Sequence, residues 1–163
     1  MANNNEIRAK NAFETFCAYF DGRGLKYDRN DGGDGNYSIS ISGKGKDLSM
    51  NFFIAISAKN ELLSILSEMP FTFEQNKIVE GVIATTIVTD LLREGSFDFD
   101  IKSGRIFYRL TTSFNQMEVT KELCAHMFEI STYTVDRYND KLFMVAKGAM
   151  SSEEFYNFVH SNE

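Results

Sequence analysis

The stretch YSISISGKGKDLSMNFFIAI, residues 37–56, determines the kind of architecture that this chain builds. Apolar residues occupy every second position on both sides of a turn rich in glycine and lysine, which is the pattern of two half-buried strands. A four-residue loop predicts that Ile41 lies opposite Leu48 and that Ile39 lies opposite Met50. This stretch therefore predicts an antiparallel hairpin with one apolar face.

The same periodicity, followed outward, predicts the other elements of the chain. Helical spacing and alternation together give the order helix, four strands, helix, two strands and two helices. In the second hairpin, a two-residue turn at Ser103-Gly104 pairs Phe99 with Tyr108 and places Asp98 opposite Arg109. The predicted fold class is α+β, with an antiparallel sheet of about five to six strands packed against helices.

The sequence also predicts where the long helix after the second hairpin begins and ends. Asn115 and Glu118 have the spacing of a capping box, so they predict that this helix opens there, with Met117 on its apolar side. Its periodicity continues to about residue 139, and residues 142–145 then predict a short extended segment. Ser151 and Glu154 predict a second capping box, which opens the final helix.

Composition limits the classes of function. The 163 residues predict a single domain, residues 1–163, and 43% hydrophobic content with 15 phenylalanines supplies a core. A net charge of −6 argues against nucleic-acid binding, which normally uses a basic surface. The sequence has no apolar run long enough for a membrane span and no signal-peptide pattern, and its two distant cysteines are typical of reduced core thiols. We therefore expect a cytoplasmic protein.

Side chains suited to catalysis or metal binding are few and scattered. Cys124 and His126 lie two positions apart on a helix, so their side chains point about 200° apart and do not face each other. The acidic, glycine-rich residues 28–36 lack the glutamate that a calcium loop needs at its twelfth position, where Ile39 stands. We expect a solvated turn there, no catalytic centre, no metal and no cofactor.

One possible interaction surface remains. Residues 51–56 are apolar on both faces of the pleat, so Phe53 and Ala55 point away from the side that holds Phe52, and Phe107 lies among charged residues. An aromatic side chain exposed within a charged frame is typical of a recognition surface. The alternative, which the sequence favours, is that helices cover this second face and bury Phe53. The candidate protein-binding residues are Phe53, Ala55, Asp98, Asp100, Arg105, Phe107 and Arg109.

Residues 76–159 resemble the YbjN domain family. The resemblance rests on the segments LREGSFDFD, residues 92–100, and SGRIFYR, residues 103–109, followed in order by a long helix, DRY at 136–138, VAKG at 145–148 and SSEE at 151–154. It implies helices on an antiparallel sheet, similar to type III secretion chaperones, frequent dimers, and bacterial proteins of sensory or regulatory type. The family has no catalytic residues to carry over.

These observations predict a non-enzymatic protein that binds another protein or a peptide in a chaperone-like or regulatory role. A homodimer is a further expectation, and the identity of a partner is not encoded in any motif. The alternative is a small-molecule sensor with a pocket between helix and sheet, lined by Met50, Met117 and Met127.

Overall fold

The computed structural model describes residues 4–161 and has the predicted order of elements. In chain order these are α1 (Asn4–Gly22), β1 (Asp28–Asp31), β2 (Asn36–Lys44), β3 (Ser49–Ser57), β4 (Leu62–Thr72), a 3-10 turn (Gln75–Lys77), α2 (Ile78–Leu91), β5 (Ser96–Asp100), β6 (Arg105–Ser113), α3 (Lys121–Ala146) and α4 (Ser152–His160). The predicted α+β class is confirmed.

All six strands form one antiparallel sheet in the order β1-β2-β3-β4-β6-β5. The helices α1 and α3 pack across its middle strands, and α2 packs against the edge strand β5. Alternate residues in the middle of β2, β3, β4 and β6 are buried beneath these helices, as Ile39, Ile54, Ile65 and Tyr108 illustrate. The sheet therefore has one covered face, as alternation requires.

Aromatic rings hold the helices to the covered face. Phe128 of α3 packs edge-to-face on Phe20 of α1 and on Phe52 of β3, with ring centroids 4.9 and 5.6 Å apart. On β6, Tyr108 is completely buried, and burial raises the pKa of its hydroxyl. Gly95 has φ +77, and a Cβ there would lie 2.4 Å from the Tyr108 hydroxyl, so the turn before β5 requires glycine.

The first hairpin keeps the predicted faces but not the predicted register. Ile41 lies opposite Phe52 rather than Leu48, and Ile39 lies opposite Ile54. Pairing continues to Lys44 and Ser49, so the four-residue loop sits two positions further along the chain. An even shift leaves every side chain on its predicted face, because strand side chains alternate with period two.

The predicted ends of α3 were wrong. The helix begins at Lys121, and the Thr120 hydroxyl caps it by accepting a hydrogen bond from the Leu123 N–H at 3.2 Å. Phe114 and Val119 are both buried, so the segment between them is held as a loop. At the other end, residues 142–145 are helical rather than extended, and α3 continues to Ala146.

Candidate binding surface

The face of the sheet that points away from the helices is open. Phe53 is 44% exposed, whereas its neighbour Phe52, on the covered face, is only 4% exposed. Ala55 is half-buried and Leu62 is exposed on the same face as Phe53. The helices therefore do not cover the second face, and the prediction that they bury Phe53 is wrong.

Strand pairing brings all seven candidate residues to this open face. Phe53 lies opposite Leu66, which in turn lies opposite Arg109. Phe107 lies opposite Asp98 on the neighbouring edge strand. The remaining candidates are Ala55 on β3 and the opposed pair Asp100 and Arg105 on β5 and β6. Their role in binding stays a prediction, but their common location is a feature of the fold.

The apolar centre of the open face also contains Leu66, which is not among the candidate residues from the sequence. Leu66 joins Phe53 and Phe107 around a hollow of about 380 Å³, together with polar side chains that include Glu68. The alternation within β4, in which Leu62, Leu66 and Glu68 share a face, could have identified these residues. The hollow is therefore apolar at its base and has a carboxylate at its edge.

A second hollow lies on the other side of Phe53. It has a volume of about 350 Å³ and is lined by Phe53, Ala55 and Leu62 with the neighbouring serines of β2, β3 and β4. The Phe53 ring thus separates two shallow depressions on one flat surface. Two apolar side chains of a partner could occupy them at the same time.

Charged residues frame the surface on the β5–β6 side. Arg109 forms an ion pair with Asp98, although the register places Phe107, and not Arg109, directly opposite Asp98. Arg105 lies 3.5 Å from Glu68 and 3.8 Å from Asp100. Its guanidinium carbon also lies 5.2 Å from the centroid of the Phe107 ring. Exposed ion pairs contribute little stability on their own, so these charges are better suited to orienting a partner.

One carboxylate of this frame is held in its ionised form. Hydrogen bonds from the Ser103 hydroxyl and from the Lys102 N–H lower the pKa of Asp100. A carboxylate that accepts such bonds is stabilised as an anion, so Asp100 carries its charge at neutral pH. This favours a binding role over general acid chemistry.

Within residues 4–161, the side chains that the sequence raises for nucleophilic or base chemistry are Cys17, Cys124 and His126. Burial raises the pKa of the Cys124 thiol to about 12. His126 is exposed and makes a 2.8 Å hydrogen bond with Glu94. Burial also raises the pKa of the Cys17 thiol. Both thiols are therefore protonated at neutral pH, and a thiolate nucleophile is disfavoured.

The sequence also raises a calcium loop at residues 28–36 and a pocket lined by methionines. Residues 28–31 form an exposed edge strand, and Asp31 accepts a hydrogen bond from the Gly33 N–H at 3.1 Å, as in a local turn. Across residues 4–161, no group of three or more His, Cys, Asp or Glu side chains is placed to hold a metal ion. Met127 is buried in α3, whereas Met117 is exposed in the preceding loop. The proposed methionine-lined pocket is therefore not assembled as predicted.

Comparison with known proteins identifies the fold. No family model and no curated protein sequence matches the chain. Its structure is similar to the crystal structure of YbjN from E. coli, with a TM-score of 0.60 over 83% of this chain and 92% of that one, at 10% sequence identity. That protein was described as a proposed transcription regulator. The chain therefore has a YbjN-like fold, as its sequence resemblance predicted. Within the described residues, no helix has the length and apolar character needed to cross a membrane.

Proposed function

We propose that this chain, which shares the fold of YbjN, is a non-enzymatic protein that binds a segment of another protein on the open face of its sheet. The observation that carries this proposal is the exposure of Phe53 beside Leu66 and Phe107 at the centre of that face. Contiguous apolar side chains with a polar rim are typical of interaction sites on soluble domains. Binding of this kind would serve a chaperone-like or regulatory role.

The exposed aromatic area is large enough to contribute usefully to affinity. A phenylalanine presents on the order of 200 Å², and Phe53 leaves 44% of its surface uncovered. Covering the roughly 90 Å² that remain would contribute about 2 kcal/mol at 25 cal/mol per Å². Central aromatic residues often dominate the energy of an interface, so Phe53 is the expected hot spot.

The shape and charge of the surface favour an amphipathic segment as the partner. Two apolar side chains would occupy the hollows on either side of Phe53. The ion-paired residues Arg105, Arg109, Asp98 and Asp100 would set the orientation by exchanging or extending their hydrogen bonds. A regulatory role by protein contact also fits a chain with a net charge of −6, since direct binding to DNA normally requires a basic surface.

Site-specific photo-crosslinking would test the proposal. A photoreactive phenylalanine analogue is placed at Phe53, and the matched control places it at Tyr156, an exposed aromatic residue of α4. After irradiation in the native host, crosslinked species are purified and identified by mass spectrometry. We expect a discrete heteromeric product from position 53 that is absent from position 156.

The same experiment can contradict the proposal. Equal products from both positions would indicate unspecific capture. The absence of any heteromeric product from position 53, at full expression of the folded protein, would mean that this face does not meet a protein partner.

A further inference from the structure

The core between α3 and the sheet contains a side-chain amide that no protein group satisfies. Asn139, in the C-terminal half of α3, is 0% exposed. Neither its Nδ2 nor its Oδ1 atom has a hydrogen-bond partner within residues 4–161. Rotating the amide to exchange the two atoms changes nothing, because both positions lack a partner. An amide buried in this way gives up its bonds to bulk water without replacing them, which is strongly unfavourable.

A second buried group of this kind lies on β4. Ser67 is only 1% exposed, and its hydroxyl forms no hydrogen bond with the part of the chain that the structure describes. It pairs with Tyr108 of β6, and the Tyr108 hydroxyl faces the Ser131 and Thr134 side chains of α3. Ser67 therefore lies on the covered face of the sheet, beside a residue that α3 contacts directly.

The packing of α3 turns Asn139 towards the same strand. Phe143, one turn after Asn139, packs on Phe71 of β4 with ring centroids 5.5 Å apart. Val135, one turn before Asn139, is also buried. Residues four apart share one face of a helix, so the Asn139 amide faces the sheet. It lies above the half of β4 that begins at Ser67 and continues to Phe71.

We propose that Asn139 and Ser67 bind ordered water in an internal hydration site between α3 and β4. Three polar atoms without protein partners face this interface, and an internal water normally bonds two to four polar groups. The amide of Asn139 donates and accepts, and the Ser67 hydroxyl does the same. Water that bonds these atoms loses less free energy on being immobilised than the unbonded amide would cost. The site lies on the covered face, so it is independent of partner binding on the open face.

A high-resolution crystal structure of the chain tests the site directly. We expect density for a water within about 2.7–3.2 Å of Nδ2 or Oδ1 of Asn139, and a water bonded to the Ser67 hydroxyl in the same cluster. The proposal is overturned if the Asn139 amide bonds protein groups alone. It is also overturned if the space beside the amide is filled by apolar side chains with no water density.

Two serine substitutions on one strand test the site in solution. Ser67→Ala removes a hydroxyl that bonds internal water, whereas Ser64→Ala removes one that lies on the open face and bonds Thr111 at 2.9 Å. Measured by urea titration, Ser67→Ala should raise the equilibrium constant for unfolding by about fivefold, and Ser64→Ala by less than about twofold. A dry, unbonded Ser67 hydroxyl predicts the opposite sign, because its removal relieves an unsatisfied group. A lower unfolding constant for Ser67→Ala would therefore overturn the proposal.

Asn139→Leu replaces the amide by an apolar side chain of similar size. If water bonds the amide, this variant should raise the unfolding constant by about tenfold, whereas a dry amide predicts that leucine stabilises the fold. Because Asn139 and Ser67 share the water, the double variant should show a smaller fold-change than the product of the two single ones. A full product would overturn the shared site. Ser67→Ala alone decides the matter if Asn139→Leu does not fold.

Discussion

Two adjacent phenylalanines provide a direct test of the open face. Phe52→Ala removes a ring that is 4% exposed and packs on Phe128, so it leaves a cavity in the core. Buried Phe→Ala substitutions cost about 3–5 kcal/mol. Phe53→Ala removes a ring that is 44% exposed, and its neighbours in the sheet can relax into solvent without enclosing a void.

The cost of Phe53→Ala follows from the area that Phe53 shares with its neighbours. Slightly more than half of its roughly 200 Å² is covered, and an alanine would still cover part of the same area. The net exposure of roughly 60 Å² gives about 1.5 kcal/mol at 25 cal/mol per Å². The two variants should therefore differ by about 1.5–3.5 kcal/mol, although the substitution is chemically the same.

Equilibrium unfolding in urea, followed by circular dichroism at 222 nm, measures this difference. If both variants have a similar slope of unfolding free energy against urea concentration, the difference between their midpoints reports a difference in stability and not a change in the unfolded state. If Phe53→Ala destabilises the protein as much as Phe52→Ala does, then Phe53 is a core residue and the open face does not exist in solution.

Three further predictions test the close packing, the caps and the thiols. Gly45→Ala should destabilise the protein, because a Cβ at Gly45 would lie 2.8 Å from the Leu48 carbonyl oxygen. A Cβ at Gly43 would have no neighbouring atom within 4 Å. Gly43→Ala should therefore be neutral or slightly stabilising in the same urea titration. Hydrogen bonds with Ser151 at the start of α4 lower the pKa of the Glu154 carboxyl in the folded protein. The ionised carboxylate therefore stabilises the fold at pH values above the pKa of Glu154 in the unfolded chain. This contribution is lost as the pH falls through the lower pKa of the folded protein. Glu154→Ala should thus lower the melting temperature at pH 7, and a difference that persists unchanged at about pH 3 would contradict this. Cys124 should react with a thiol reagent at neutral pH only after unfolding, and fast labelling of the native protein would show that its burial is wrong.

The local sequence predicts which face each strand residue occupies. Period two assigns Phe52 and Ile54 to one face and Phe53 to the other, and the structure agrees. Registers depend on contacts that are distant in sequence. In the observed first turn, the Lys46 N–H donates a hydrogen bond to the Asp136 carboxylate of α3 at 2.7 Å, a contact that favours the shifted register. The sequence of residues 37–56 cannot predict this contact, because its partner Asp136 lies 90 residues further along the chain.

The second hairpin shows the same limit. A two-residue turn would place Ile101 opposite Ile106, but the observed partner of Ile106 is Phe99, and Ile101 lies in a four-residue turn. Backbone hydrogen bonds explain the longer turn, since Gly104 N–H donates to the Asp100 carbonyl and the Phe73 N–H donates to the Gly104 carbonyl, both at 2.8 Å. The segment after β4 therefore fixes a turn some 30 residues further along the chain.

The candidate surface could be located from the sequence, but its exposure could not. Alternation places Phe53 and Phe107 on the same face as Arg109. This prediction needs only the rule that successive side chains of a strand point to opposite faces of the sheet. Whether helices cover one face or both depends on how α1, α2 and α3 distribute around the sheet. Their apolar stripes can pack on either side, so the local patterns do not distinguish the two arrangements.

The most direct measurement of the central claim is the affinity of the crosslinked partner, once purified, for the wild-type chain and for Phe53→Asp. Calorimetric titration should give a dissociation constant more than about thirtyfold higher for Phe53→Asp, which corresponds to the loss of about 2 kcal/mol. Tyr156→Asp, on the helical side of the molecule, should leave the affinity unchanged. Equal affinities of a folded Phe53→Asp variant and the wild type would contradict the assignment of the open sheet face as the binding surface.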